Sequence, residues 1–334
     1  MPITLPPISR RRFLGTSLAT GAALALRPRF NFADDAIARD PDRVILFSDI
    51  HIAADPTHIA RDINMTDHLK QAVAEALALD QSSHHPSMAI VNGDCAFNNG
   101  ETADYGQVVN LLKPLRDAGL PVHLALGNHD NRERFWAAIP PEEGGGTEPD
   151  RPVENRQILV LETPKTDWII LDSLIKTKTT PGSLGDAQLK WLADQLDLPK
   201  RQAKPVLVMV HHQPQLPNTD QIFIPEPPKT ATEPASTKPT HIGGLLDTEA
   251  LLEVLVPRKN VKALIFGHTH AWSHSEYKGF HLINLPTVAY PFNPVQPSAW
   301  TDCLLTDTTG TFSLHTLDPK HPKHGDQLNL TWRA

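Results

Sequence analysis

The sequence predicts an α/β fold with parallel strands. Three observations carry the prediction. Between residues 44 and 130, short apolar runs alternate with stretches of helical periodicity, an order that implies parallel pairing through right-handed crossovers. Forty per cent of the 334 residues are hydrophobic, enough to bury a sizeable core. Five of the apolar runs end in side chains able to bind metal, and in open α/β sheets ligands collect beyond the carboxyl ends of the strands.

Taken in order, "VILFSDIH" (44–51) is a buried strand with a polar end. "TDHLKQAVAEALAL" (66–79) has Leu69, Val73, Ala76 and Leu77 at helical spacing, with Thr66 as the expected N-cap. "SMAIVNGD" (87–94) is the second strand, and "ADYGQVVNLLKPLRDAG" (103–119) a helix weakened by Pro114. "PVHLALGNHD" (121–130) is the third strand, and "NRERFWAAI" a short helix before a loop at 140–152. "RQILVLET" and "DWIILDS" are a strand pair, "DAQLKWLADQL" (186–196) a helix with Leu189, Leu192 and Leu196 on one face, and "PVLVMVHH" (205–212) a strand. "TEALLEVLV" (248–256) is a helix and "VKALIFGHTH" (261–270) a strand. "HLINLP", "DCLLTD" and "TFSLHTL" are short strands, with "TTG" as a hairpin turn. There is no internal repeat.

Residues 213–244 hold seven prolines, too long and Pro-rich for a simple connector. We treat 213–246 as an insertion near the functional site within one domain spanning 34–334. The preceding residues, 1–33, form a separate leader and linker. "SRRRFL" (9–14), followed by the weakly apolar "GTSLATGAALAL", resembles a twin-arginine signal. The expected destination is the periplasm or the exterior of a bacterium. The apolar run is too short for a stable membrane span.

Arg10, Arg11, Arg12, Arg27 and Arg29 supply five of the 31 basic residues, so the rest of the chain carries 26 against 38 acidic ones, a net −12. Such a surface argues against nucleic acid as a partner. Two cysteines, Cys95 and Cys303, make neither a disulfide framework nor a Cys-rich zinc module.

The five polar endings are "SDIH" (48–51), "NGD" (92–94), "GNHD" (127–130), "VHH" (210–212) and "GHTH" (267–270). Asp49 and His51 are two apart, as are His268 and His270, and in extended chain such pairs point to one side. Gly93, Gly127 and Gly267 each precede a candidate ligand and permit sharp turns. The donors are Asp49, His51, Asp94, Asn128, His211, His268 and His270. Seven nitrogen and oxygen donors are too many for one ion with open positions. They suit two ions about 3.5–4 Å apart that share a carboxylate. Strand alternation sends His211 and His212 to opposite sides. His123 is expected in the core and Cys95 as a small buried packing residue. His84, His85, Asp220 and His241 are expected in solvated loops.

In content and order these motifs resemble the calcineurin-like metallophosphoesterases, over residues 49–270. The resemblance implies a four-layer α/β/β/α sandwich and two divalent or trivalent transition metal ions (manganese, iron or zinc). It implies a small phosphate-ester substrate attacked in line by metal-activated hydroxide. Asp49, His51 and His270 would hold one ion, Asn128, His211 and His268 the other, and Asp94 would bridge. His211 rather than His212 falls at the family position. His129 would be catalytic, handling the proton of the leaving oxygen. Many members of the family carry a second Asp three residues after the first, which orients that histidine. Here "GDCAFNNG" puts Phe97 there, so either another acid such as Asp130 supports His129 or His129 contributes less. "GNHDNR" and "ETADYGQ" resemble the bacterial cyclic-nucleotide-phosphodiesterase-like branch, so phosphodiesters are the expected substrates and monoesters the alternative. A non-catalytic metal-binding protein is the rival from another class.

Overall fold

The computed structural model describes residues 39–79, 85–145, 151–216 and 243–334. Residues 1–33, expected as a leader and linker, together with His84, Asp220, His241 and most of the Pro-rich segment, lie outside them. β1 (Arg39–Phe47) leads through a small hairpin, β2 (Ile59–Ala60) and β3 (Ile63–Asn64), into α1 (Met65–Ala78). β4 (His85–Val91), α2 (Thr102–Asp117), β5 (Val122–Leu124) and α3 (Arg132–Ala138) complete the first half. The second half begins with β6 (Leu159–Glu162), β7 (Asp167–Leu171), α4 (Asp186–Leu196) and the short α5 (Pro199–Gln202). β8 (Val206–Val210), α6 (Thr248–Leu255), β9 (Val261–Phe266), β10 (Ser273–Tyr277) and β11 (Phe280–Asn284) follow. β12 (Ala299–Leu305), β13 (Thr309–Thr316) and β14 (Gln327–Thr331) return to the first half.

Two six-stranded mixed sheets result. The first runs β14-β13-β12-β1-β4-β5 and the second β10-β11-β9-β8-β7-β6. β1, β4 and β5 are parallel, as are β7, β8, β9 and β11; the flanking strands are antiparallel.

The period of two along each strand builds the layers. β1 sends Ile45 and Phe47 to a helical layer that includes Leu69 and Val73 of α1, Val108 and Leu112 of α2, and Phe135 of α3. It sends Val44 and Leu46 the other way, into a layer shared with Trp168, Ile170, Leu207, Met209 and Ile265 of the second sheet. The far face of that sheet, with Ile169, Leu171, Val208 and Val210, packs on Leu189, Leu192 and Leu196 of α4 and Leu251 and Leu255 of α6. The architecture is an α/β/β/α sandwich, and both faces of its central strands are dry.

Some local expectations are corrected. Asn64, not Thr66, caps α1: its side chain accepts from Asp67 N at 3.1 Å, whereas Thr66 is already inside the helix and buried. His85 is half-buried and opens β4 rather than lying in a loop. β10 ("SHSEY") and β14 ("QLNLT") were not expected. Both are polar edge strands, and an edge strand needs no apolar run when only part of it is covered. Cys95 and Cys303 are buried and unpaired.

Candidate metal centre

The parallel strands β1, β4 and β5 of one sheet and β8 and β9 of the other stop at Phe47, Val91, Leu124, Val210 and Phe266. The candidate ligands all lie in the turns just beyond, and the turns interlock. Asp49 N donates to Gly93 O (3.2 Å), His51 N to Asp94 O (2.9 Å), and Gly267 N to His211 O (3.0 Å). Asp49, His51 and His270 bring donor atoms within 4.8 Å of one another. So do Asp94, His211 and His268, and so do His51, Asp94 and His129. Asn128 joins them through its Oδ1, 3.3 Å from His211 Nε2. The sequence-predicted residues therefore converge on one edge.

They do so by a different route from the one expected. Asp49 (φ +51°), His51 (+46°), Asp94 (+47°), His268 (+67°) and His270 (+53°) all have left-handed backbone. The pairs two residues apart share a side because each turn coils tightly, not because the chain is extended. Asp and His enter this region more readily than most side chains, yet each such residue costs of order 1 kcal/mol or more.

The glycines serve the carboxylates. A Cβ on Gly127 would lie 2.2 Å from Asp94 Oδ1, and one on Gly267 would lie 2.6 Å from Asp49 Oδ2 and 2.2 Å from Ser48 Oγ. Each buried carboxylate thus presses one oxygen against a bare backbone. Asp94 Oδ1 accepts from His129 N (2.8 Å); Asp49 Oδ2 accepts from Ser48 Oγ (2.5 Å) and His268 N (3.1 Å). The other oxygen of each faces the centre. Asp94 Oδ2 is 3.6 Å from His51 Nε2 and 3.5 Å from His211 Nε2. Asp49 Oδ1 is 3.4 Å from His270 Nε2 and has no hydrogen-bond partner.

The imidazoles are oriented from behind. Nδ1 of His51, His211 and His270 contacts the carbonyls of Phe97 (3.2 Å), Asn92 (2.8 Å) and Tyr290 (2.5 Å). A carbonyl only accepts, so in each ring the proton sits on Nδ1, and a neutral ring turns the Nε2 lone pair inward. His51 Nε2 and His270 Nε2 then meet at 3.1 Å, lone pair to lone pair. His211 Nε2 likewise meets the acceptors Asn128 Oδ1 and Asp94 Oδ2. Only a proton or a cation can reconcile such an arrangement. Burial disfavours charge on His211, but Asp94 and Asp49 outweigh it and lift its pKa to about 10. Burial holds His51 down to about 3 and His268 to about 4. Burial raises Asp49, but His270 and His211 overcome it and bring it to about 2. Inward lone pairs, carboxylates kept ionised and an unpartnered carboxylate oxygen fit metal ions, with the backing carbonyls as orienting groups.

His129 stands beside these groups, its ring 5.0 Å from that of His51. Asp130 does not support it. Burial raises the pKa of Asp130 to about 6. Its carboxylate is taken up by Cys95 N (3.1 Å), Ala96 N (3.0 Å), Gly127 N (2.9 Å) and Tyr105 Oη (3.1 Å). The group at His129 Nδ1 is the carbonyl of Asn98, at 3.0 Å. Asp130 clamps the 95–96 backbone, and the same loop offers the Phe97 and Asn98 carbonyls to two imidazoles. Where the expected second Asp is missing, the main chain does its orienting. His212 packs its ring 4.7 Å from that of His268 but turns its Nδ1 to Ser173 Oγ at 2.7 Å, and it is not among the converging donors.

Sequence reasoning missed the aromatic wall. Tyr290 stacks on His51 (5.4 Å, 20°) and Phe292 on His270 (3.9 Å, 12°). Arg61, in the tip of the β2–β3 hairpin, covers both rings at 5.6 and 5.1 Å. No motif marks these positions.

The profile of the calcineurin-like phosphoesterases matches residues 42–272. The chain is 24% identical over 277 residues to the 3',5'-cyclic adenosine monophosphate phosphodiesterase CpdA of Haemophilus influenzae, covering 83% of this chain and 82% of that protein. It is 26% identical over 272 residues to a probable cyclic nucleotide phosphodiesterase of Synechococcus, covering 81% and 89%. A dimetal phosphatase from Danio rerio shares the fold, with a TM-score of 0.60 at 17% identity over 88% of this chain and 100% of that one.

The Asp130 clamp gives a test. Asp130→Asn replaces an acceptor-only group by one that sets an NH2 against backbone donors. It should lower the unfolding free energy in urea by roughly 2–3 kcal/mol, against about 1 kcal/mol for Tyr105→Phe. Equal stability of Asp130→Asn and the parent chain would contradict the clamp.

Proposed function

Since the chain belongs to the calcineurin-like phosphoesterase family, we propose that it hydrolyses phosphodiesters at a centre of two metal ions. The carrying observation is the set of buried acceptors that face one another with their protons turned outward. Hydrolysis of phosphate esters is the family's activity, and metal dependence its hallmark. The split into two ions, the roles of single residues and the preference for diesters are our reading.

In that reading Asp49, His51 and His270 would hold one ion, Asn128, His211 and His268 the other, and Asp94 would be shared between them. When bound, such a pair would acidify water and neutralise charge on the phosphoryl oxygens. The protein's own contribution is orientation. Carbonyls at 92, 97 and 290 fix three rings, and the backbone N–H groups of His129 and His268 fix the two carboxylates. None of these groups has to reorganise during the reaction. His129, with Nδ1–H held by Asn98 O, can carry a second proton on Nε2 and donate it to the departing oxygen. The Tyr290–Phe292–Arg61 wall offers an organic substituent a flat surface beside the centre. The names of the curated relatives support a diester.

Metal-loaded protein assayed with 3',5'-cyclic AMP, bis-p-nitrophenyl phosphate and p-nitrophenyl phosphate should show kcat/KM about tenfold or more higher for the diesters. A monoester preference would overturn the diester reading. Asp94→Asn should reduce the content of both metals, by elemental analysis; full loading would refute a bridging role. His129→Ala should keep its metals and lose about 10²–10⁴ in kcat, most for poor leaving groups. Equal losses across leaving groups would rule out proton donation.

A further inference from the structure

A second cluster of metal-capable side chains lies on the β10–β11 hairpin and shares no residue with the strand-end centre. Lys278 (φ +46°) and Gly279 (φ +85°) form a two-residue turn of the type that suits a right-twisted hairpin. The turn fixes the register, so that Glu276 pairs with His281 and His274 with Ile283. Ile283 is in the layer between the sheets, and residues opposite each other in a pair share a face. His274, Glu276 and His281 therefore stand on the inner face of the hairpin, at the margin of that layer.

His281 is anchored from behind. Its Nε2 donates to Thr331 O of β14 at 3.0 Å, which leaves the lone pair of the neutral ring on Nδ1. That atom is 3.1 Å from His274 Nε2 and 3.6 Å from Glu276 Oε1. All three donor atoms lie within 4.8 Å of one another. Ligands of a tetrahedral zinc ion are about 3.3 Å apart. His281 is buried, His274 half-buried and Glu276 exposed, so the cluster has a fixed foot and a mouth open to solvent.

We propose that His274, Glu276 and His281 form a further binding site for a single divalent transition ion of the zinc, copper or nickel type. Two imidazoles and one carboxylate favour these ions over calcium or magnesium, which take mainly oxygen ligands. Without metal, His274 Nε2–H donates to His281 Nδ1. With metal, that proton moves to His274 Nδ1 and Nε2 turns its lone pair to the ion, with no net proton released. Because His281 is bonded to β14, an ion here ties the edge strand of the second sheet to the edge strand of the first. The inference does not depend on the number of ions at the strand-end centre.

The test is a zinc count on the metal-loaded protein. After equilibration with excess zinc and removal of loosely bound ion, His274→Ala and Glu276→Gln should each hold one zinc fewer per chain than the parent protein. Phosphoesterase activity should stay within about twofold of the parent in both variants. In crystals of the parent grown with zinc, anomalous scattering should show a peak among the three side chains. Equal zinc counts in parent and variants, or no peak there, would overturn the site. The anomalous map and the conservative Glu276→Gln keep the test decisive if His274→Ala fails to fold.

Discussion

Buried acceptors that face acceptors are the constraint on which this molecule turns. Around the strand-end centre the oriented imidazole and backbone donors point outward, while His211, whose pKa rises to about 10, holds one proton among the inward acceptors. The Nδ1 protons of His51, His211 and His270 are spent on main-chain carbonyls. The backbone N–H groups of His129 and His268 occupy the outer oxygens of Asp94 and Asp49. What is left inside is a collection of lone pairs, an arrangement that is costly in a dry interior unless positive charge fills it. The fold is organised to hold that collection together.

The sandwich supplies the means. Parallel strands of both sheets end at one edge, so residues separated by up to 221 positions, Asp49 to His270, need only short turns to meet. The turns are tight enough to force five of the seven candidate ligands into left-handed backbone. The summed strain is several kcal/mol, comparable to the net stability of a domain. The carboxylate contacts to backbone N–H groups and the Asp130 clamp oppose it in the metal-free chain, and binding of cations would oppose it further. Strain and ligand placement are the same feature seen from two sides.

Much of this was legible in the sequence. The apolar runs announced the central strands because both faces of those strands are covered, and the polar residues after them announced the edge where they end. Alternation separated His211 from His212 without choosing, and family position alone favoured His211; in the structure His211 Nε2 lies 3.5 Å from Asp94 Oδ2, while His212 Nδ1 is on Ser173 Oγ. The left-handed turns were not legible, since Asp and His carry no mark of φ as glycine does. Neither were the carbonyls of Asn92, Phe97, Asn98 and Tyr290, because every residue has one and only the folded path decides which is used. Arg61, Tyr290 and Phe292 belong to no motif, and β10 and β14 hid because edge strands can afford polar sequences.

The loop after Asp94 carries one more consequence. It orients His51 and His129 through the main-chain oxygens of Phe97 and Asn98, so the identity of those two side chains is nearly irrelevant to the task. Drift at positions 97 and 98 should be tolerated in evolution wherever the backbone path survives. A one-residue insertion or deletion between 95 and 100 is another matter, since it would displace both oxygens at once. The vulnerability here is one of spacing, and a comparison that scores residue identity column by column would overlook it.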